Sequence, residues 1–295
     1  MSGLDWLRLA LLSLLWGGSF FFVEVAVHAL PPMTIVLARV GLGALMLALM
    51  LGVLRIPFPR GRETWIALAV MGLLNNVVPF TLFVVAQGQI SSGLASILNA
   101  TTPLWGVLVA HVATTDERLT LAKGLGVLLG FGGVALMMGA GLGDGTVWAQ
   151  MACIAAAFSY AVSSVWGRRF RRMGLAPMST AFGQVTVSSL ILLPLVLLVD
   201  QPWTLPMPSG TVLAALLGMA VLSTALAYGL YFGLISSAGA VNASLVTFLI
   251  PVSAIGLGVL VLGEVLLPRH LMGMVLIAAG LTVIDGRLLR KFNAG

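Results

Sequence analysis

Ten apolar runs, each close to the length a helix needs to cross a bilayer, constrain this chain more than any other feature. They cover roughly 5–28, 33–54, 64–86, 92–113, 120–140, 146–167, 177–199, 210–234, 240–262 and 269–287. Inside hydrocarbon no water can bind a backbone N–H or C=O, so runs of this length must satisfy those groups as helices. The links are short and hold the helix breakers: Pro31-Pro32, Pro57, Pro59, the glycines at 139, 141, 143 and 145, then Pro202, Pro206 and Pro208. Only 8% of the 295 residues are charged, where a soluble domain carries about 25% to wet its surface. Mean hydropathy is +1.11, so lipid has to solvate most of the chain. The expected fold class is all-α, a polytopic membrane protein with ten transmembrane helices. Arg8 and the segment Val27-His28-Ala29 would also suit a signal peptide, but the first run is longer than an ordinary signal core and has a counterpart later in the chain.

Basic residues orient the spans. With the N-terminus in the cytoplasm, thirteen of the fifteen Lys and Arg fall in cytoplasmic segments: Arg8; Arg55, Arg60 and Arg62; Arg118 and Lys123; Arg168, Arg169, Arg171 and Arg172; Arg287, Arg290 and Lys291. Arg269 is left in an outer loop and Arg39 inside a span. Both termini are therefore expected in the cytoplasm, with the lipid bilayer as the principal partner. A net charge of +6 split into short loop clusters is not a nucleic-acid face, and no nucleic-acid partner is expected. Cys153 is the single cysteine and allows no disulfide framework.

The chain also repeats itself. Leu30-Pro31-Pro32-Met33-Thr34 reappears as Leu175-Ala176-Pro177-Met178-Ser179, and Ile90-Ser91-Ser92 as Ile235-Ser236-Ser237. Ala95-Ser96 followed by Pro103 returns as Ala243-Ser244 followed by Pro251. Glu117, Gly126 and Gly133 map to Glu264, Gly273 and Gly280, and Trp16 falls opposite Tyr160. Residues 1–143 and 144–295 thus form two five-span repeats. Five is odd, so the second must enter the membrane from the opposite side. Inverted repeats of this kind serve secondary transporters, which rock two halves about a site near the midplane.

Trp16-Gly17-Gly18-Ser19-Phe20, Arg39, Pro103, Asp116-Glu117-Arg118-Leu119-Thr120, and in the second half Pro251, Gly263-Glu264 and Gly273 resemble the EamA-type drug/metabolite transporters. The resemblance covers nearly the whole chain. It implies ten helices in an inverted five-plus-five arrangement, a bacterial inner (cytoplasmic) membrane location, and export or exchange of small metabolites. Within that superfamily the chain is most similar to bacterial exporters of amino acids, aromatic ones included. It departs from a strict repeat where Gln184 stands opposite Arg39.

Ionisable groups are costly within spans, so the few present are candidates for gating or coupling. Glu24 and Arg39 are at similar depth, which permits an ion pair. Pro103 and Pro251 recur at matching places and are candidate hinges. No acidic residue is expected at mid-depth to exchange protons for a cationic drug, and no Lys or Arg pair to hold a sugar phosphate. The expected substrate is a small neutral or zwitterionic molecule. Cavity candidates are Trp16, Asn75, Asn76, Thr81, Asn99, Trp105, Tyr160, Ser163, Trp166, Tyr228, Tyr231, Asn242 and Ser244, whose amides, hydroxyls and rings can hold a carboxylate, an ammonium and an apolar side chain. Each could instead join helices or belong to an interfacial belt.

Other classes fit less well. No Gly-x-x-x-x-Gly-Lys-Ser/Thr loop occurs, so no ATPase domain is expected in the chain. The three histidines, His28, His111 and His270, sit near span ends without metal-ligand spacing, and neither a metal, a cofactor nor catalytic residues are expected. The alternatives kept open are a multidrug or other metabolite exporter, or an importer, of the same fold. A membrane-embedded enzyme is the rival class.

Overall fold

A computed structural model describes residues 1–115, 118–138 and 146–285. Asp116 and Glu117 of the motif, the glycines at 139, 141, 143 and 145, and the basic residues Arg287, Arg290 and Lys291 lie outside the described residues. Within them the chain is helical and contains no strand. Seven helices are long and apolar enough to span a membrane: α1 (Gly3–Val27), α2 (Pro32–Leu54), α3 (Arg62–Gln87), α4 (Ser92–Ala113), α6 (Thr146–Arg172), α7 (Pro177–Asp200) and α8 (Gly210–Ala238). Three shorter apolar helices complete the set: α5 (Leu121–Met138), α9 (Val246–Leu262) and α10 (Pro268–Asp285). At 1.5 Å per residue, each of these three spans about 25 Å.

Their boundaries follow local chemistry. Ser2 caps α1 through a reciprocal capping box with Asp5, and Ser91 and Ser209 cap α4 and α8. Pro32 and Pro177 stand at the first turns of α2 and α7, where a missing N–H removes no helical bond. Two spans are interrupted where hydropathy suggests uniform helices. The run at 240–262 is divided by a turn at Ser244-Leu245, which leaves a short helix, Ala240–Ala243, before α9. Within α4 the helix breaks between Asn99 and Thr102, where Pro103 cannot donate to the Asn99 carbonyl. The Thr102 hydroxyl takes that carbonyl at 2.7 Å, and the Thr101 hydroxyl takes Leu98's at 2.7 Å. Pro251 is not placed like Pro103: it lies inside the continuous α9.

Exposed leucines and valines, among them Leu121, Leu128, Val112 and Leu260, cover the outside, as expected of a surface solvated by lipid. Close contacts use glycine. A Cβ on Gly126 would lie 2.6 Å from the Gly280 carbonyl, and one on Gly133 2.6 Å from that of Gly273. Gly17 likewise admits α9, whose Ser253 Cβ would be 2.7 Å from its own. Gly229 and Gly233, four residues apart in α8, make no such approach: the nearest atom to a Gly229 Cβ is 3.5 Å away and Gly233 faces open space.

The pairings change little when the first five helices are exchanged with the last five. α1 packs on α9 as α6 does on α4, and α3 packs on α6 and α7 as α8 does on α1 and α2. α2 packs on α7 and α5 on α10, each helix against its own counterpart. Both of these pairs are antiparallel. Thr34 at the start of α2 meets Asp200 at the end of α7, while Pro57 just beyond α2 meets Ser179 at the start of α7. In α5 and α10, Gly126 faces Gly280 and Gly133 faces Gly273.

Candidate functional site

Two π-helical segments prepare the centre of the molecule. In α3 the turn widens over Leu73–Val77, just before Pro79, whose ring cannot fit a regular turn over Asn75. In α8 it widens over Val221–Leu226, and there the Thr224 hydroxyl bonds the Met219 carbonyl five residues back at 3.0 Å. The two segments start 148 positions apart, the same offset that relates Pro103 to Pro251.

These widened turns carry polar side chains across the boundary between the two sets of five helices. Asn75 donates to the Gln184 side-chain carbonyl at 3.2 Å and accepts from Ser163 at 3.0 Å. Gln184 in turn donates to the Tyr228 hydroxyl at 2.8 Å. The chain Ser163–Asn75–Gln184–Tyr228 thereby ties α6, α3, α7 and α8 together. Thr224 meets Arg39 of α2, whose Nε lies 3.4 Å from its hydroxyl and whose guanidinium carbon sits 3.8 Å above the Phe80 ring. Two aromatic pairs flank this network. Trp16 tilts against Tyr231 with centroids 5.2 Å apart, and Tyr160 stacks on Phe83 at 6.1 Å. Trp16 and Tyr160 are 144 positions apart in the chain, and Phe83 and Tyr231 148.

Around these groups is a cavity of about 850 Å³, within the range that holds a small molecule. Its walls are mostly apolar and aromatic. At one end the lining residues Val23, Val84 and Gln87 are buried, and Gln87 donates to the Phe20 carbonyl at 2.8 Å and to Glu24 at 3.3 Å. On the same side, Glu264 accepts from the backbone of Ser92 and Gly93 at 2.8 and 3.0 Å, capping α4 from the far half. At the other end the lining reaches the exposed Arg171 and Gly174 at the turn between α6 and α7. The contact of Pro57 with Ser179 puts the basic segment 55–62 on that same face.

Of the residues singled out in the sequence, Trp16, Arg39, Asn75, Asn99, Tyr160, Ser163, Tyr228 and Tyr231 line this cavity. The others lie elsewhere. Asn76 is fully buried and donates to Ser188 of α7 at 3.1 Å, so adjacent amides on one widened turn serve different purposes. Thr81 and Trp105 are outside the lining, Trp105 packing edge-on against Phe131 and Phe158. Trp166 donates to the Ala67 carbonyl at 3.0 Å and carries the Arg169 guanidinium over its ring. Asn242 donates to Ala238 at 2.8 Å, and Ser244 is exposed. Pro103 and Pro251 shape helices without touching the cavity.

The ion pair between Glu24 and Arg39 that similar depth permitted does not form. Glu24 faces Gln87 and, at 3.6 Å, His28, because α1 turns it toward α3 and its own last turn. Arg39 points instead into the cavity. Thr224, Phe80 and Phe83 are lining residues that a reading of polar and aromatic candidates passed over. Thr224 and Phe80 join the cavity's polar centre only because tertiary packing brings Arg39 to them. Gln184 was visible as the repeat counterpart of Arg39, and the two share the same cavity.

The family model for EamA-like transporters matches the chain twice, over residues 5–139 and 147–284. A Bacillus subtilis (strain 168) protein named uncharacterized transporter YvbV is 28% identical over 289 residues, covering 95% of this chain and 90% of its own length. A Salmonella typhimurium protein named probable amino-acid metabolite efflux pump is 27% identical over 298 residues, covering 96% of this chain and 95% of its own. One crystal structure shares the fold with a TM-score of 0.70 at 19% identity, covering 98% of this chain and 99% of its own. Two matches that together take in nearly all of a helical, lipid-solvated chain show that it belongs to the EamA-like transporter family of polytopic membrane proteins.

Proposed function

We propose that this chain is a secondary transporter that exports small metabolites, amino acids including aromatic ones first, by alternating access through the central cavity. One observation carries the reading: a cavity of small-molecule size is walled by both sets of five helices, buried at one end and continuous with the surface at the other. A site of that form can change its open end if the two sets rock. The antiparallel packing of α2 on α7 and of α5 on α10 supports an inverted relation between residues 1–143 and 144–295. The name of the Salmonella relative supports amino acids as substrates. With both termini in the cytoplasm of a bacterial inner membrane, the open end at Arg171 faces inward, so substrate enters from the cell. The outer end is then held shut through Gln87 and Glu264.

The test is flux of labelled phenylalanine, methionine and threonine in proteoliposomes, with and without an imposed pH gradient. Saturable flux of at least one of the three is expected. Flux that needs the gradient, and loses that need in Glu24→Gln, makes Glu24 the coupling group. Absence of flux for all three would remove the amino-acid assignment.

A further inference from the structure

Arg39 stands in this cavity without a counter-charge. It lies about 10 Å from the start of α2 by helix rise, inside a span. Its Nε has the long contact to Thr224, and one face rests on Phe80. Among the described residues no carboxylate pairs with it and none lines the cavity, where the other charged group is Arg171 at the mouth. Glu24, the acid nearest in depth, is engaged by Gln87 and His28. Cations within spans ordinarily face a partner, because a desolvated and unpaired charge is expensive. A planar guanidinium whose terminal nitrogens have no acceptor is also shaped for a two-pronged carboxylate. Its repeat counterpart Gln184 is neutral and already bonded to Asn75 and Tyr228, so the positive charge sits on one wall only.

We propose that Arg39 anchors a carboxylate of the transported molecule, so that the cavity selects organic acids with an apolar or aromatic body and does not require an ammonium group. The inference rests on the transport reading and narrows its substrate class. Trp16, Tyr231, Phe83 and Tyr160 supply the aromatic walls for the body of the substrate. A zwitterionic amino acid meets the requirement through its carboxylate; an amine of the same shape does not, because it would set a second cation beside Arg39.

The experiment titrates the purified full chain in nanodiscs calorimetrically with phenylalanine, 3-phenylpropanoate and 2-phenylethylamine. Both acids should bind and the amine should not. Arg39→Gln should weaken both acids by about tenfold or more, the range for a lost charged hydrogen bond, and Arg39→Lys by less. Binding of the amine as tightly as the acids, binding of neither acid, or unchanged acid affinity in a folded Arg39→Gln protein would each overturn the proposal. Should Arg39→Gln fail to fold, the ranking of the three ligands on the unaltered protein still decides. Parallel flux assays separate the two readings: acids that bind through Arg39 but do not cross would end the transport reading and keep the site. An amine carried as well as the acids would do the reverse.

Discussion

At the residue scale the site depends on which way single side chains point. Asn75 and Asn76 are neighbours on one widened turn, yet only Asn75 lines the cavity while Asn76 pins α3 to α7. Their substitutions should therefore separate. Asn75→Leu is expected to raise the KM for phenylalanine flux, in addition to the stability lost with its interhelical bonds to Gln184 and Ser163. Asn76→Leu should lower the melting temperature and leave that KM unchanged, because it removes a buried interhelical bond, worth roughly 0.6 kcal/mol on average in membranes, away from the cavity. Kinetics and a thermal melt on the same preparations check both; a KM effect confined to Asn76→Leu would contradict the assignment. Sequence could nominate both amides as polar groups within a span. It could not rank them, because a rotation of about 100° per residue sends adjacent side chains to different neighbours. Arg39 was legible for the same reason, as a costly charge in a span, while its partner was not.

Helices add information that residues lack. Gly126, Gly133, Gly273 and Gly280 let α5 and α10 approach until backbone faces backbone, so added volume there has nowhere to go. Gly126→Leu should destabilise the protein by roughly 1–3 kcal/mol, as overpacking does, whereas Gly233→Ala should be silent. Thermal unfolding in detergent measures both, and equal effects would refute the tight crossing. The prolines divide in a similar way. Pro103 sits at a break already bridged by threonine hydroxyls, and Pro251 within a continuous helix. If the break in α4 is where that helix bends during transport, Pro103→Ala should reduce flux more than Pro251→Ala at equal folding yield. Equal fluxes would make both prolines static. The repeat pattern equated these two positions because it registers spacing, and spacing does not report how neighbouring hydroxyls satisfy freed carbonyls.

For the whole molecule, the packing around α1 is not matched around its counterpart α6 among the contacts of the described residues. α1 also packs on α3 and α4 beside the closed end. Ser164 lines the open path and Val23 the closed one. In a Cys153→Ala background, Ser164→Cys should react with a membrane-impermeant maleimide applied to the face carrying Arg168–Arg172, and Val23→Cys should resist it from both faces. Reaction of Val23→Cys alone, from the opposite side, would mean that the cavity opens outward. Glu264 gives a second handle on the closed end. Glu264→Ala removes the acceptor for two backbone donors and should make Val23→Cys reactive; continued protection would show that this cap does not hold the end shut.

The sequence by itself determined that the chain is helical, solvated by lipid and internally repeated, since hydropathy and spacing are local properties that survive without a fold. It also marked Arg39, Trp16, Asn75 and Tyr160, because polar or aromatic groups in apolar runs stand out wherever they end up. Only the tertiary structure decided that Arg39 faces Thr224 and Phe80 instead of Glu24, and that Trp166 and Trp105 pack away from the cavity. It alone closed one end through Gln87 and Glu264. Those outcomes depend on how helices far apart in sequence rotate and cross. A few ångströms at glycine contacts and two widened turns set that geometry; the repeat marks where they recur in the chain, but not which helix each one meets.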